Sequence, residues 1–124
     1  MKLDAIGIVA KNIQESARFY RLLGLNFPES DAAHIEATTA SGIRVMLDSE
    51  ELMQKIHSGW ARPVGQGMVL AFDCGSPAGV DSAFQKIVQA GFKSKKEPWD
   101  AFWGQRYASV IDPDGNSVDL FASL

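Results

Sequence analysis

The sequence predicts an α+β fold made of two βαβββ modules, and three observations support this prediction. A strand-like run, a helical run and three further strand-like runs follow one another in that order twice along the 124 residues. Gly24 and Gly91 follow the helical run of each half, at the position where a left-handed residue ends a helix. One helix and a few strands are too little for an independent core. We therefore interpret the chain as one duplicated domain, with residues 1–58 as the first module, 59–66 as a linker and 67–124 as the second module.

The first module begins with an apolar, β-branched run at residues 3–10, which predicts a strand. Asn12 and Glu15 are spaced as a helix-capping pair, and the helix that they begin is predicted to extend to about Leu23. The remaining predicted elements of this module are strands at 25–27, 33–39 and 43–47 and one or two helical turns at 50–57.

The second module repeats this order. A strand is predicted at residues 67–74, and a helix is predicted to begin at Ser76-Pro77, because proline suits the first helical position. The last two strands form a hairpin, since Pro113 fixes the backbone angle of the intervening turn and Gly115 or Asn116 can take a positive φ. The strands predicted after the helix cover 92–96, 105–111 and 117–121.

Composition narrows the function classes. The net charge is −3 and Lys and Arg are spread along the chain, so we expect no nucleic-acid partner. No apolar run approaches the roughly 20 residues of a membrane span, and the first residues do not resemble a signal peptide. The single cysteine, Cys74, excludes an internal disulfide framework and suits a reducing compartment. We expect a cytoplasmic protein without a membrane partner.

Three motifs carry a family resemblance across nearly the whole chain. They are S-A-R-F-Y-R-L-L-G-L at 16–25, W-G-Q-R-Y at 103–107 and D-P-D-G-N-S-V-D-L at 112–120. The sequence resembles the vicinal oxygen chelate superfamily, which includes glyoxalase I, extradiol dioxygenases, and the fosfomycin and bleomycin resistance proteins. The resemblance implies that both modules form a curved mixed sheet around a shared cleft. These motifs occur in members with different activities, so the fold alone does not give the function.

The resemblance also implies a divalent metal held by His, Glu or Gln at four sheet positions. Carried over by motif, these positions are Ala5, Met46 or its neighbour, Met68 and Asp119. Alanine offers no donor atom, and thioethers suit soft ions rather than the dications used in this superfamily. We therefore expect no metal and no other cofactor. In an alternative, His34 and Glu36 share a strand face and join Asp119 in a relocated metal site, but the more conservative interpretation is that they are ordinary surface residues.

The resemblance is strongest to the bleomycin resistance group, whose members are metal-free dimers that sequester a drug. It predicts metal-independent binding of a small drug-like or aromatic ligand, as in antibiotic resistance, by a homodimer. The alternative is a glyoxalase-, isomerase- or dioxygenase-like enzyme, which uses a relocated metal or an acid–base pair of Asp119 and Tyr107. The occupants of the metal positions favour the binding protein.

The expected ligand site combines a sheet face and an aromatic loop. Strand alternation predicts that Leu70 and Phe72 point inward with Asp119, which gives a mostly apolar pocket. The three aromatic residues near Gly104 either contact the ligand, plug the sheet or form a dimer interface. The residues predicted to bind ligand are Trp103, Trp99, Phe102, Tyr107, Arg44, Met46, Met68 and Asp119.

Two arginines have alternative roles. Arg106 either binds an anionic group of the ligand or pairs with Asp100 or Asp112. A carboxylate in an apolar pocket is costly unless it is paired, so Arg44 or a ligand cation is the expected partner of Asp119.

Overall fold

The protein is described from a computed structural model, which covers all 124 residues. It contains three helices and seven strands, and the strands form two sheets, which confirms the predicted α+β class. The chain divides into two compact units, Met1–Val64 and Gly65–Leu124, and each unit holds one sheet. None of the helices has the length and apolar character needed to span a membrane.

The elements of the first unit are β1 (Ala5–Ala10), α1 (Ile13–Arg21), β2 (His34–Thr38), β3 (Arg44–Ser49) and α2 (Glu50–Ile56). Its three strands form a sheet with the order β1-β3-β2. Strand β1 runs parallel to β3, and β2 pairs antiparallel with β3. The helix α1 connects β1 to the rest of the sheet and packs on β3, which buries Phe19 and Tyr20 of the helix and Leu47 of the strand.

The ends of α1 follow the sequence signals, but the strand predicted after it is absent. The side chain of Asn12 accepts a hydrogen bond from the Glu15 amide at 3.1 Å, and Gly24 has a φ of +88°. Residues 25–27 form no strand. The Leu25 amide bonds to the Tyr20 carbonyl, the Phe27 amide bonds to the Leu25 carbonyl, and the Arg21 guanidinium takes the Phe27 carbonyl at 3.0 Å. The first module therefore has two strands after its helix, and the prediction of three is wrong.

The elements of the second unit are β4 (Leu70–Asp73), α3 (Pro77–Gln89), β5 (Lys93–Ala101), β6 (Gln105–Ile111) and β7 (Ser117–Ser123). Its four strands form a sheet with the order β4-β7-β6-β5. Strand β4 runs parallel to β7, and the other neighbours are antiparallel. The helix α3 packs on one face of this sheet, where Val118 and Leu120 of β7 and Val80 and Ile87 of α3 are fully buried.

Strand β5 is longer than predicted and contains two irregularities. Ser94 lies opposite Val110, Lys96 opposite Ser109 and Trp99 opposite Tyr107, so β5 has an extra residue in each of the two intervals. Such bulges tolerate Pro98, which has no amide hydrogen to donate to a regular ladder. The prediction that the strand ends at Lys96 and that Trp99 lies in a loop is therefore wrong.

The hairpin between β6 and β7 is organised by Asp112, whose side chain is almost completely buried. Its carboxylate accepts hydrogen bonds from the amides of Asp114 at 2.9 Å and Asn116 at 2.8 Å, and from the Asn116 side chain at 2.9 Å. Gly115 has a φ of +89°, as the turn sequence predicts. This turn fixes the register that places Ser109 opposite Asp119.

Candidate functional site

The sheet face of the second unit that points away from α3 carries a cavity of about 450 Å³. Side chains alternate along β7, so Asp119 lies on this face while its neighbours Val118 and Leu120 are buried on the other. Ser109 of β6 lies directly opposite Asp119, and Tyr107 lies opposite Phe121. The cavity is lined by Gln66, Gly67, Met68, Val69, Lys95, Tyr107, Ser109, Ser117 and Asp119.

Asp119 is the centre of the polar part of this cavity. The Tyr107 hydroxyl donates to one of its carboxylate oxygens, and the Ser109 hydroxyl donates to the other at 2.7 Å. Burial and the hydrogen bond to Asp119 raise the pKa of Tyr107 to about 12. The phenol is therefore protonated at neutral pH and acts as a hydrogen-bond donor. This pair of hydroxyls supplies hydrogen bonds to the carboxylate, and Arg44, one of its two expected partners, is paired elsewhere.

Gln66 attaches the segment that precedes β4 to the first residue of β7. Its side-chain amide donates to the Ser117 carbonyl at 3.0 Å, and its side-chain carbonyl accepts from the Ser117 amide at 2.6 Å. This two-bond bracket places Gly67, Met68 and Val69 along the cavity. Sequence reasoning missed Gln66, because a glutamine in a glycine-rich linker carries no pattern that indicates a partner.

The predicted aromatic residues form a cluster beside the cavity but do not line it. The ring of Trp103 lies 5.3 Å from that of Tyr107, 5.5 Å from Trp99 and 4.9 Å from Phe102, each in an edge-to-face arrangement. Trp103 is 47% exposed and Phe102 is 91% exposed. The indole N–H of Trp99 is buried and has no hydrogen-bond partner, which is unfavourable by roughly 1–3 kcal/mol. Tyr107 therefore connects the aromatic cluster to the cavity.

The predicted apolar character of the pocket is wrong. Leu70 pairs with Val118 and Phe72 pairs with Leu120, so both share the face that packs against α3 and point away from Asp119. The prediction that they point inward assumed that strand alternation already applies at Met68. Met68 precedes the first residue of β4, so it does not set the direction of these side chains. Lys95 also lines the cavity, and the sequence gives no signal for this, because a bulge depends on the register with a distant strand.

Two of the predicted ligand-binding residues, Arg44 and Met46, lie on β3 of the first unit. Arg44 pairs with Asp4 at 2.9 Å and with Glu36 at 2.7 Å, so its guanidinium is already neutralised by two carboxylates. Met46 lies between Gly7 of β1 and Glu36 of β2. The expected pairing of Arg44 with Asp119 is therefore replaced by partners on neighbouring segments of its own unit.

His34 is fully engaged by carboxylates of the same unit. Its Nδ1 lies 2.5 Å from Asp48 and its Nε2 lies 3.1 Å from Glu36. The hydrogen bond to Asp48 is the main reason that the pKa of His34 is raised. An imidazole can donate from both nitrogens only when it is protonated, and in that state it has no lone pair for a metal. This arrangement does not favour the relocated metal site.

The residues present do not fit the divalent metal that the resemblance implies. Ala5 has no donor atom, and Met46 and Met68 offer only thioethers. Asp119 is the one hard donor of the four, and both its oxygens accept hydroxyl hydrogen bonds. No group of three or more His, Cys, Asp or Glu side chains is arranged to hold a metal ion.

Arg106 lies on the opposite sheet face and has a structural role. Its guanidinium bonds to Asp81 of α3 and to Asp100 of β5, each at 3.0 Å, so Asp100 is the predicted partner that it uses and Asp112 is not. It borders a smaller cavity of about 300 Å³ between α3 and β5. Because its charge is already compensated, Arg106 is a poor anchor for an anionic ligand.

Comparison with known proteins gives one family. The family model of the Glyoxalase/Bleomycin resistance protein/Dioxygenase superfamily matches residues 2–120. Among solved structures, a glyoxalase/bleomycin resistance protein/dioxygenase family enzyme from Burkholderia phytofirmans aligns with a TM-score of 0.88 at 19% identity, over 100% of both chains. A glyoxalase-related enzyme from Fulvimarina pelagi aligns with a TM-score of 0.84 at 20% identity, over 98% of this chain and 88% of the other.

A further structural relative is a protein of unknown function from Agrobacterium tumefaciens. It aligns with a TM-score of 0.75 at 25% identity, over 100% of this chain and 95% of the other. No functionally curated protein matches the sequence. At these identities the structural relatives establish the fold, and the function has to be argued from the site.

Proposed function

This chain belongs to the glyoxalase/bleomycin resistance protein/dioxygenase superfamily, and we propose that within it the protein binds a small molecule without a metal. The proposed site is the cavity beside Asp119. The observation that carries the proposal is the chemistry of Asp119, which holds two hydroxyl donors where a metal-dependent relative would hold an ion. A carboxylate supported in this way is suited to accept hydrogen bonds from a ligand.

The cavity has the features of a small-molecule site. Its volume of about 450 Å³ lies within the range of about 300–1,000 Å³ typical of ligand pockets. Its polar groups, on Tyr107, Ser109 and Asp119, converge on one wall. Met68 and Val69, which are 70% and 49% exposed, form an apolar rim that a bound molecule would cover at about 25 cal/mol per Å² of apolar surface.

The aromatic cluster supports an aromatic ligand. Trp103 leaves part of its ring open to solvent and contacts the Tyr107 ring that lines the cavity. A planar ligand that extends from Asp119 past Tyr107 reaches Trp103, and stacking between aromatic groups contributes roughly 0.5–1.5 kcal/mol beyond the area that it buries. Trp99 and Phe102 then act by holding Trp103 in place.

A second candidate is an acid–base enzyme that uses Asp119 and Tyr107. The hydrogen bond between the two residues favours it, because a base and an acid in contact are needed for proton transfer. However, a phenol with a pKa of about 12 is a weak acid at neutral pH, and general acid–base catalysis is most efficient when the pKa lies near the working pH. We therefore rank binding ahead of catalysis.

The oligomeric state and the cellular compartment of the protein are also part of the proposal. We propose a cytoplasmic homodimer, in keeping with the resemblance to the drug-sequestering members and with the single cysteine. The exposed Phe102 at the tip of the β5–β6 turn is the type of side chain that is enriched at protein interfaces. Light scattering coupled to size-exclusion chromatography tests this proposal, and a monomeric mass would contradict it.

NMR titration tests the site directly. Isotopically labelled protein is kept in EDTA, and aromatic antibiotics and simple phenyl compounds are added while the backbone amide resonances are followed. We expect the shifts to centre on Met68, Val69 and Ser109. Shifts confined to the α3 surface would place the ligand elsewhere, and an absence of shifts across the panel would contradict the proposed function.

A further inference from the structure

The cavity beside Asp119 carries one charge of each sign. Among its lining residues, only Lys95 and Asp119 are charged. We infer that the ligand is a small zwitterion with an apolar body, of the chemical class of an aromatic amino acid, whose ammonium group faces Asp119 and whose anionic group faces Lys95. This inference rests on the proposed function and specifies the ligand class of the same site.

Lys95 is available for a ligand because of a bulge. It is the extra residue of β5 between Ser94, which lies opposite Val110, and Lys96, which lies opposite Ser109. Bulges redirect side chains and are frequent next to binding sites. The neighbouring Lys96 is engaged, since its ammonium lies 4.6 Å from the centre of the Trp99 ring. The ammonium of Lys95 has no ion-pair or hydrogen-bond partner.

Asp119 retains capacity for a ligand donor. The hydroxyls of Tyr107 and Ser109 each use one acceptor position on a different oxygen, whereas a carboxylate offers about four such positions. Both donors are neutral and Asp119 forms no ion pair, so its negative charge remains available to a ligand cation. A ligand ammonium group supplies the opposite charge and the hydrogen bonds together.

The remaining wall suits the apolar body of such a ligand. Met68 and Val69 are both largely exposed, and the ring of Tyr107 borders the same space. A thioether side chain adapts its shape to different apolar groups. The combination of an apolar rim with two separated charges distinguishes this cavity from a purely hydrophobic one.

The arrangement discriminates against singly charged molecules. A monocation forms an ion pair with Asp119 but is repelled by the positive charge of Lys95. A monoanion forms an ion pair with Lys95 but is repelled by the negative charge of Asp119. Like-charge juxtaposition is a common source of specificity at binding sites. A neutral molecule avoids repulsion but gains no charge-assisted hydrogen bond.

Calorimetric titration with four phenyl compounds tests the inference. The probes are L-phenylalanine, 2-phenylethylamine, 3-phenylpropionate and 2-phenylethanol, which share the ring and differ in charge. We expect L-phenylalanine to bind roughly tenfold more tightly than either singly charged compound, because each of those lacks one charge-assisted hydrogen bond.

Two variants identify the charges involved. Lys95→Met is expected to lower the affinity for L-phenylalanine to that for 2-phenylethylamine, whereas Lys93→Met, on the same strand but outside the cavity, leaves it unchanged. Asp119→Asn is expected to lower the affinity for both compounds that carry an ammonium group, L-phenylalanine and 2-phenylethylamine. Thermal melts confirm that each variant is folded.

The outcomes separate the inference from the proposed function. Equal binding of all four probes, or an unchanged affinity in Lys95→Met, overturns the inference and leaves the binding function in place. Binding of none of the four contradicts both. A preference for L-phenylalanine that depends on both Lys95 and Asp119 supports both.

Discussion

Tyr107 and Asp119 lie diagonally across neighbouring antiparallel strands, and the phenol hydroxyl donates a hydrogen bond to the carboxylate. Ser109, directly opposite Asp119, donates to the second oxygen at 2.7 Å. The register that creates this arrangement is fixed by the turn from Asp112 to Asn116, which directly precedes β7. Asp119, one of the four positions at which the resemblance implies a metal ligand, is thus part of a protein hydrogen-bond network.

Removing the carboxylate should destabilise the fold. Asp119→Ala leaves the hydroxyls of Tyr107 and Ser109 without their acceptor, which is expected to lower the free energy of unfolding by roughly 1–3 kcal/mol. Asp119→Asn, which retains one acceptor oxygen, serves as the matched control and should cost less. Urea denaturation at neutral pH measures both, and equal stabilities of Asp119→Ala and the wild type would show that the network contributes nothing.

The Tyr107 phenol should ionise only in strongly alkaline solution. Its pKa is raised from about 10 to about 12 by burial and by Asp119, so the folded state retains this proton more firmly than the unfolded state. The stabilising contribution is complete below about pH 10 and is lost as the pH rises towards 12. The tyrosinate absorbance of the wild type and of Tyr107→Phe gives the difference titration. Ionisation of Tyr107 near its ordinary value would contradict this picture.

The His34 cluster should make stability pH-dependent near neutrality. The hydrogen bonds to Asp48 and Glu36 raise the pKa of His34, so its contribution is complete below the ordinary value of about 6.5. It is then lost as the pH rises through the raised value of the folded protein. His34→Gln should flatten this dependence in urea denaturation measured across the range, whereas His57→Gln should leave it unchanged. An identical pH profile for His34→Gln and the wild type would contradict the role of the cluster.

Trp103 should matter for ligand binding more than for stability. Its ring contacts Tyr107 and is 47% exposed, so Trp103→Ala is expected to weaken the binding of aromatic probes severalfold with little change in melting temperature. Trp60→Ala is the matched control, because it removes the same type of side chain at a position that does not line the cavity. Calorimetry with the four phenyl probes measures both. Unchanged binding in Trp103→Ala would exclude the aromatic cluster from the site.

Local signals in the sequence predicted most of the elements. The caps of α1 and α3, the glycine that follows α1 and the Asp112 turn all depend on a few adjacent residues, and the structure places them as predicted. Strand β6 has the predicted bounds. The family resemblance rests on motifs in these same well-determined segments, and it is confirmed by the match over residues 2–120.

The errors arise where the structure depends on pairing between distant segments. The position of Lys95 reflects a bulge against β6. The absent strand at 25–27 is a local exception, since Arg21 binds the Phe27 carbonyl six residues further along the chain. The facing direction of Leu70 and Phe72 is set by the register with β7. Of the predicted site residues, Met68, Tyr107 and Asp119 come together at one cavity, and Trp103 joins them through Tyr107.

The central claim, binding without a metal, is tested most directly by the melting temperature in EDTA and after addition of Ni²⁺, Zn²⁺, Mn²⁺ or Fe²⁺. A specifically bound ion at about 100 times its dissociation constant adds about 2.7 kcal/mol to the stability of the folded state, which corresponds to several degrees for a domain of this size. We predict no specific shift with any of the four ions. A rise of several degrees with one of them would contradict the account and would favour the metal-dependent enzyme.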